Sequence, residues 1–194
     1  MPFEINSLIV PLWSAAVLVV LVVTAAVVDL RCGKVPNWLT YPAIVVGLAG
    51  HAAVGYASGG GFRGGEQMGL DGALGGFVVG FLPLLLCWLA GGIGGGDAKL
   101  MGAVGALGGY KIALGAMLYG FAIAGLMAVI VMVRRRIVRQ TVRRIWHTVV
   151  LLILPGAKPA DPTGPDSPTV PLAVALCLGT FVAMLQPIIR SIWK

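Results

Sequence analysis

The sequence predicts an all-α protein that crosses a membrane six times, and three observations carry that reading. Of 194 residues, 58% are hydrophobic and 11% are charged, whereas a soluble domain carries about a quarter charged residues. The apolar residues gather into six stretches, most of them close to the ~20 residues that span a bilayer. The lysines and arginines sit mainly at the ends of those stretches, as topology-setting charges do.

The first stretch covers residues 8–28. It follows Met-Pro-Phe-Glu-Ile-Asn-Ser, which holds no Lys or Arg. A secretory signal needs a basic start, so this stretch is expected to be a retained span. The second covers 38–57 and the third 70–90. The fourth, 98–109, is short and Gly-rich. The fifth covers 112–133 and the sixth 170–189. The 29 glycines suit close helix packing in lipid, where small residues let backbones approach. Residues 1–194 are read as one membrane-embedded domain.

Orientation follows from the basic residues. With the N-terminus outside, the cytoplasmic set is Arg31, Lys34, Lys99, Arg134, Arg135, Arg136, Arg139, Arg143, Arg144 and Lys158. The outer set is Arg63, Lys111, Arg190 and Lys194. This favours N-out and C-out. Without the fourth span, Arg31 and Lys34 would face the opposite side from the cluster after Val133, so the charges support six spans.

Beyond the fifth span, Ile137, Val138, Val142, Ile145, Trp146, Val149 and Val150 recur with helical spacing opposite Arg136, Arg139, Arg143, Arg144 and His147. The segment 134–144 reads as a basic amphipathic helix in the cytoplasmic interface, with a plain extension of the fifth helix as the alternative. A Pro-rich linker completes the region 134–169. The net charge of +7 is then explained by topology and by binding to anionic phospholipid rather than to nucleic acid.

Few residues can carry chemistry. Cys32, Cys87 and Cys177 form no Cys-x-x-Cys pair, and His51 and His147 are isolated. No metal site and no cofactor is therefore expected. His51 reads as a packed or interfacial residue. The acidic residues are Glu4, Asp29, Glu66, Asp71, Asp97, Asp161 and Asp166. All but two fall in tails, outer loops or the linker. Asp29 closes the first span and Asp97 opens the fourth, which places both on the cytoplasmic side. A carboxylate at a membrane boundary is costly and marks a functional site. Two that share a proton can activate water for peptide hydrolysis.

Around Asp97 lies Gly91-Gly92-Ile93-Gly94-Gly95-Gly96. A bare glycine strand could pair with an extended substrate; the alternative is a flexible loop. After Asp29 comes Leu30-Arg31-Cys32-Gly33-Lys34-Val35-Pro36-Asn37. Pro36 is expected to stop the first helix and Asn37 to cap the second. Arg31 and Lys99, each two positions from an aspartate, point away from it on a regular helix and are read as snorkelling to headgroups.

These two motifs resemble the type IV prepilin peptidases, the GxGD aspartic proteases of bacterial and archaeal membranes. The first is Asp29, Arg31, Val35, Pro36 and Asn37, with Val35 where Ile is common. The second is Gly94, Gly96, Asp97 and Lys99. The resemblance covers most of the chain. It implies that Asp29 and Asp97 are the catalytic pair, with the other motif residues positioning the substrate. The implied reaction is removal of a short basic leader from prepilins or pseudopilins at the cytoplasmic edge of the inner membrane. The chain lacks the N-terminal domain with paired Cys-x-x-Cys motifs that accompanies N-methylation in larger members. It resembles the short form associated with tight-adherence (Flp-type) pili, so peptidase activity alone is expected. Helix dipoles assign the base to Asp97, at a helix start, and the proton to Asp29, near a helix end. The alternatives are a small proton-coupled transporter or channel using the two aspartates as a relay, and a presenilin-type protease. The latter has Pro-Ala-Leu where this chain has Pro171-Leu172-Ala173.

Overall fold

Long apolar runs without strand-like alternation can satisfy their backbone groups in lipid only as helices, and helices are what form. The computed structural model describes residues 11–63, 68–136, 143 and 171–192. Its long elements are α1 (Leu12–Cys32), α2 (Asn37–Ala57), α3 (Leu70–Leu89), α4 (Gly95–Arg134) and α5 (Leu172–Ile192), with a 3₁₀ turn at Gly61–Arg63. Helices α1 to α4 are each long and apolar enough to cross a membrane, and α5 holds a shorter apolar stretch, Leu172–Gln186. The chain is a membrane protein. It divides into two compact units, Met1–Ile123 with Pro171–Lys194, and Ala124–Val170.

The fourth and fifth expected stretches are one helix, α4, broken at Gly109 (φ 75°, ψ 176°). Only glycine adopts that backbone cheaply. Packing partners show that the chain reverses there. In the first arm (95–108), Gly80 lies against the Met101 carbonyl and Gly76 against Gly105, so the arm runs antiparallel to α3. In the second arm, a Cβ on Gly115 would lie 3.0 Å from Ala183 and one on Gly120 3.2 Å from the Leu176 Cα, so this arm runs antiparallel to α5. Helix α5 starts beside the end of α1, where Asp29 meets Ala173. The six helical segments therefore alternate in direction.

The first arm is the centre of the bundle. Residues 100–109 are all buried. A helix enclosed on every side shows no polar face, and close neighbours demand small residues, which explains a stretch that is both short and Gly-rich. Around it α1 lies along α5 and α2, and α2 lies along α3. The buried face of α1 is Ser14, Ala15, Leu18, Leu21, Val22, Ala25 and Asp29, a stripe at helical spacing.

His51 is fully buried. Its Nδ1 lies 3.1 Å from the Met68 carbonyl oxygen and its Nε2 3.1 Å from that of Leu107. The Trp13 ring is 4.9 Å away. Helix α4 breaks at Gly109, two residues past Leu107, and His51 places a ring nitrogen against the Leu107 carbonyl there. We expect His51→Leu to lower unfolding stability by about 1–3 kcal/mol, the cost of a buried acceptor left unpaired. His51→Gln, which keeps a donor, should recover part of this in thermal melts of reconstituted protein. Equal melting of the Leu variant and the parent would refute the role.

One local expectation is corrected. Helix α2 begins at Asn37 itself, with Pro36 at the cap position and no side-chain capping bond; the Asn37 side chain is used elsewhere, as described below. In the second unit α4 ends at Arg134, and Arg136 takes a positive φ of 56°. Most of the expected basic helix, and the linker that follows it, lie outside the described residues, although Arg143 is helical.

Candidate functional site

Asp29 belongs to the packed stripe of α1, one turn beyond Ala25, which is why a charged residue at a helix end is buried rather than solvated. Its Oδ2 accepts the Ala173 backbone N–H at 3.2 Å. Ala173 is the second residue of α5, where N–H groups lack helical partners. Asp29 thus serves as a capping carboxylate for a helix that begins far along the chain, its partner lying 144 positions later. Arg31 and Lys34 lie off this stripe and are exposed.

Asp97 is the third residue of α4 and is partly exposed. Its own N–H bonds the Gly94 carbonyl at 3.1 Å. A Cβ on Gly94 would come within 3.0 Å of the Asp97 Oδ2, and one on Gly96 within 2.8 Å of the Val35 carbonyl oxygen. The glycines therefore give room, on one side to the carboxylate and on the other to the chain just before Pro36. They do not form the extended strand considered above. Gly95 and Gly96 are already helical, and the N–H groups of Gly91 and Gly92 close α3 by bonding Trp88 and Cys87. Those donors are spent, so main-chain pairing with a substrate has little edge to use.

Lys99 differs most from expectation. Its Nζ donates to the Asn37 Oδ1 at 2.8 Å and stands 4.9 Å from the centroid of the Tyr41 ring. Asn37 and Tyr41 are four apart on α2 and share a face. The ammonium is thus held by an amide oxygen and an aromatic face rather than directed to headgroups, and it ties the second motif to the first.

The contact between Gly96 and the Val35 carbonyl sets the two aspartate-bearing segments side by side, near enough for the charge of Asp29 to bear on Asp97. Like charges at short range resist joint ionisation, so the pair is suited to sharing one proton. The premise behind assigning the base to Asp97 no longer distinguishes the two, because Asp29 also faces a helix start. Sequence reasoning missed Ala173 and Tyr41. The spacing from Asn37 was a signal for Tyr41, whereas a backbone N–H carries no residue signature. Among the described residues, no group of three or more His, Cys, Asp or Glu side chains is placed to hold a metal.

Comparison with curated proteins and with solved structures finds no match. A family model, described as the type IV leader peptidase family, matches residues 16–130. That span contains both aspartates, both glycines of the second motif, Asn37 and Lys99, and it covers more than half of the chain. The chain therefore belongs to the type IV leader peptidase family.

Proposed function

We propose that this protease is a membrane aspartic endopeptidase that removes the short basic leader of prepilins or pseudopilins, of Flp type, at the cytoplasmic face of the inner membrane. The observation that carries the reading is the pairing of Asp29 with Asp97 across two helices inside the family match. The ionised member takes a proton from a water molecule, whose oxygen attacks the scissile carbonyl carbon. The protonated member donates to the carbonyl oxygen. The tetrahedral intermediate collapses as the C–N bond breaks, and the leaving nitrogen takes up a proton. The pair titrates as a unit, so neither role is tied to one residue.

The alternating segments support six crossings, the two arms of α4 crossing separately, and the distribution of lysines and arginines favours both termini outside. Asp29, at the end of α1, and Asp97, at the start of α4, then lie near the cytoplasmic interface, where the basic leader of a substrate resides. The basic segment 134–144 binds anionic phospholipid.

Co-expression with a candidate prepilin tests the proposal. Mass spectrometry should find a new N-terminus at the junction between basic leader and hydrophobic helix. An uncut prepilin beside a correctly inserted protein would count against the peptidase, and aspartate-dependent proton flux in vesicles would favour the relay.

A further inference from the structure

We infer that Lys99 is a positioning residue for the aspartate pair, acting through a clasp with Asn37 and Tyr41; this rests on the peptidase reading above. Lys99 follows Asp97 by two positions, so on a helix it points to a different face. Its ammonium reaches across 62 positions to the Asn37 Oδ1 at 2.8 Å and lies over the Tyr41 ring at 4.9 Å. Both partners sit in the first two turns of α2. The segment joining α2 to Asp29 is short and constrained: Gly33 takes a left-handed turn (φ 64°) and Pro36 is extended. Beside the clasp, a Cβ on Gly96 would meet the Val35 carbonyl oxygen at 2.8 Å, so the α1–α2 connection already touches the first turn of α4.

Contact at Gly96 limits how near the two segments can come, but it does not stop them separating. A pair of polar and cation–π contacts does. Asp29 is independently anchored by Ala173, at the start of α5, whereas Asp97 rides on the first turn of α4. The clasp is what couples that turn to the helix connected to Asp29. Its loss lets Asp97 drift from Asp29 while both side chains remain intact. A misplacement of about 1 Å can cost on the order of 100-fold in rate.

The experiment uses full-length protein in lipid nanodiscs, with Cys32, Cys87 and Cys177 replaced, and a purified prepilin. Lys99→Met should lower kcat on the order of 100-fold with KM nearly unchanged, whereas Lys99→Arg, which can still donate to Asn37 and stack on Tyr41, should retain most of the rate. Asn37→Ala combined with Lys99→Met should be no slower than the slower single variant. Asn37→Cys with Lys99→Cys, bridged by a short bis-methanethiosulfonate that forms a disulfide with each thiol and releases sulfinate, should regain rate although no ammonium is present. A bridged pair as slow as Lys99→Met, or a Lys99→Met defect confined to KM, would overturn the inference, since either means that the ammonium acts on substrate. Thermal melts of the parent, the Asn37→Ala and Lys99→Met single variants and their double variant need no substrate and should show non-additive losses; additive losses would also overturn it. If the parent cuts no prepilin, the peptidase reading fails, while the melting cycle still decides whether the clasp exists.

Discussion

Asp29→Asn and Asp97→Asn should each reduce leader cleavage by about 10³-fold or more, within the 10²–10⁴ range attributed to a positioned proton-transfer group. Asparagine keeps the shape of the side chain but cannot exchange a proton with water or with the carbonyl oxygen. Folding should survive in both. In the Asp29→Asn variant the new amide oxygen can still accept the Ala173 N–H, and Asp97 is only partly buried. The double variant should be no slower than either single, because groups that act as a unit lose their function together. Single-turnover cleavage, followed by gel mobility of the prepilin, measures all three. A single variant that keeps more than about a tenth of the parental rate would remove the dyad, since the chemistry needs both members.

The second large effect is on stability. Gly105→Ala places a methyl group against the Gly76 carbonyl and 3.0 Å from the Phe77 nitrogen, atoms of a helix backbone that cannot turn aside. Overpacking of this kind costs about 1–3 kcal/mol, and here it forces α3 away from the arm that carries Asp97. Gly75→Ala is the control. It lies one residue from Gly76 on the same helix, but a Cβ there meets nothing within 4 Å. Thermal melts should therefore show a marked loss for the first variant and parental behaviour for the second. Similar melting for both would mean that the α3–α4 crossing is not the tight contact described.

Several elements were legible for reasons that are local. The all-α class followed from apolar runs that must satisfy their own backbone. A break between the first two helices was legible too, although Gly33 in a left-handed turn ends α1 at Cys32 and Pro36 sits at the cap position of α2 instead. Asp29 and Asp97 emerged by elimination, since so few ionisable groups lie at the ends of apolar stretches. The errors are equally local in origin. Asn37 has the composition of a cap, and a glycine run has the freedom of a strand or loop. Neither property indicates that Lys99 occupies the Asn37 side chain or that α3 consumes the N–H groups of Gly91 and Gly92. The weak apolar signal of 98–109 came from enclosure, since a helix surrounded by neighbours is built from Gly and Ala where a lipid-facing one carries larger side chains.

By itself, then, the sequence determined that this chain is a bundle of apolar helices with two aspartates at helix ends, because composition and periodicity are properties of neighbouring residues. Only the tertiary structure decided that those aspartates interact, that Asp29 receives the start of α5, that Lys99 holds α2, and that Gly109 turns one helix back on itself. Each of these depends on a distance between residues far apart in the chain, and such distances are set by how closely small residues allow the helices to pack.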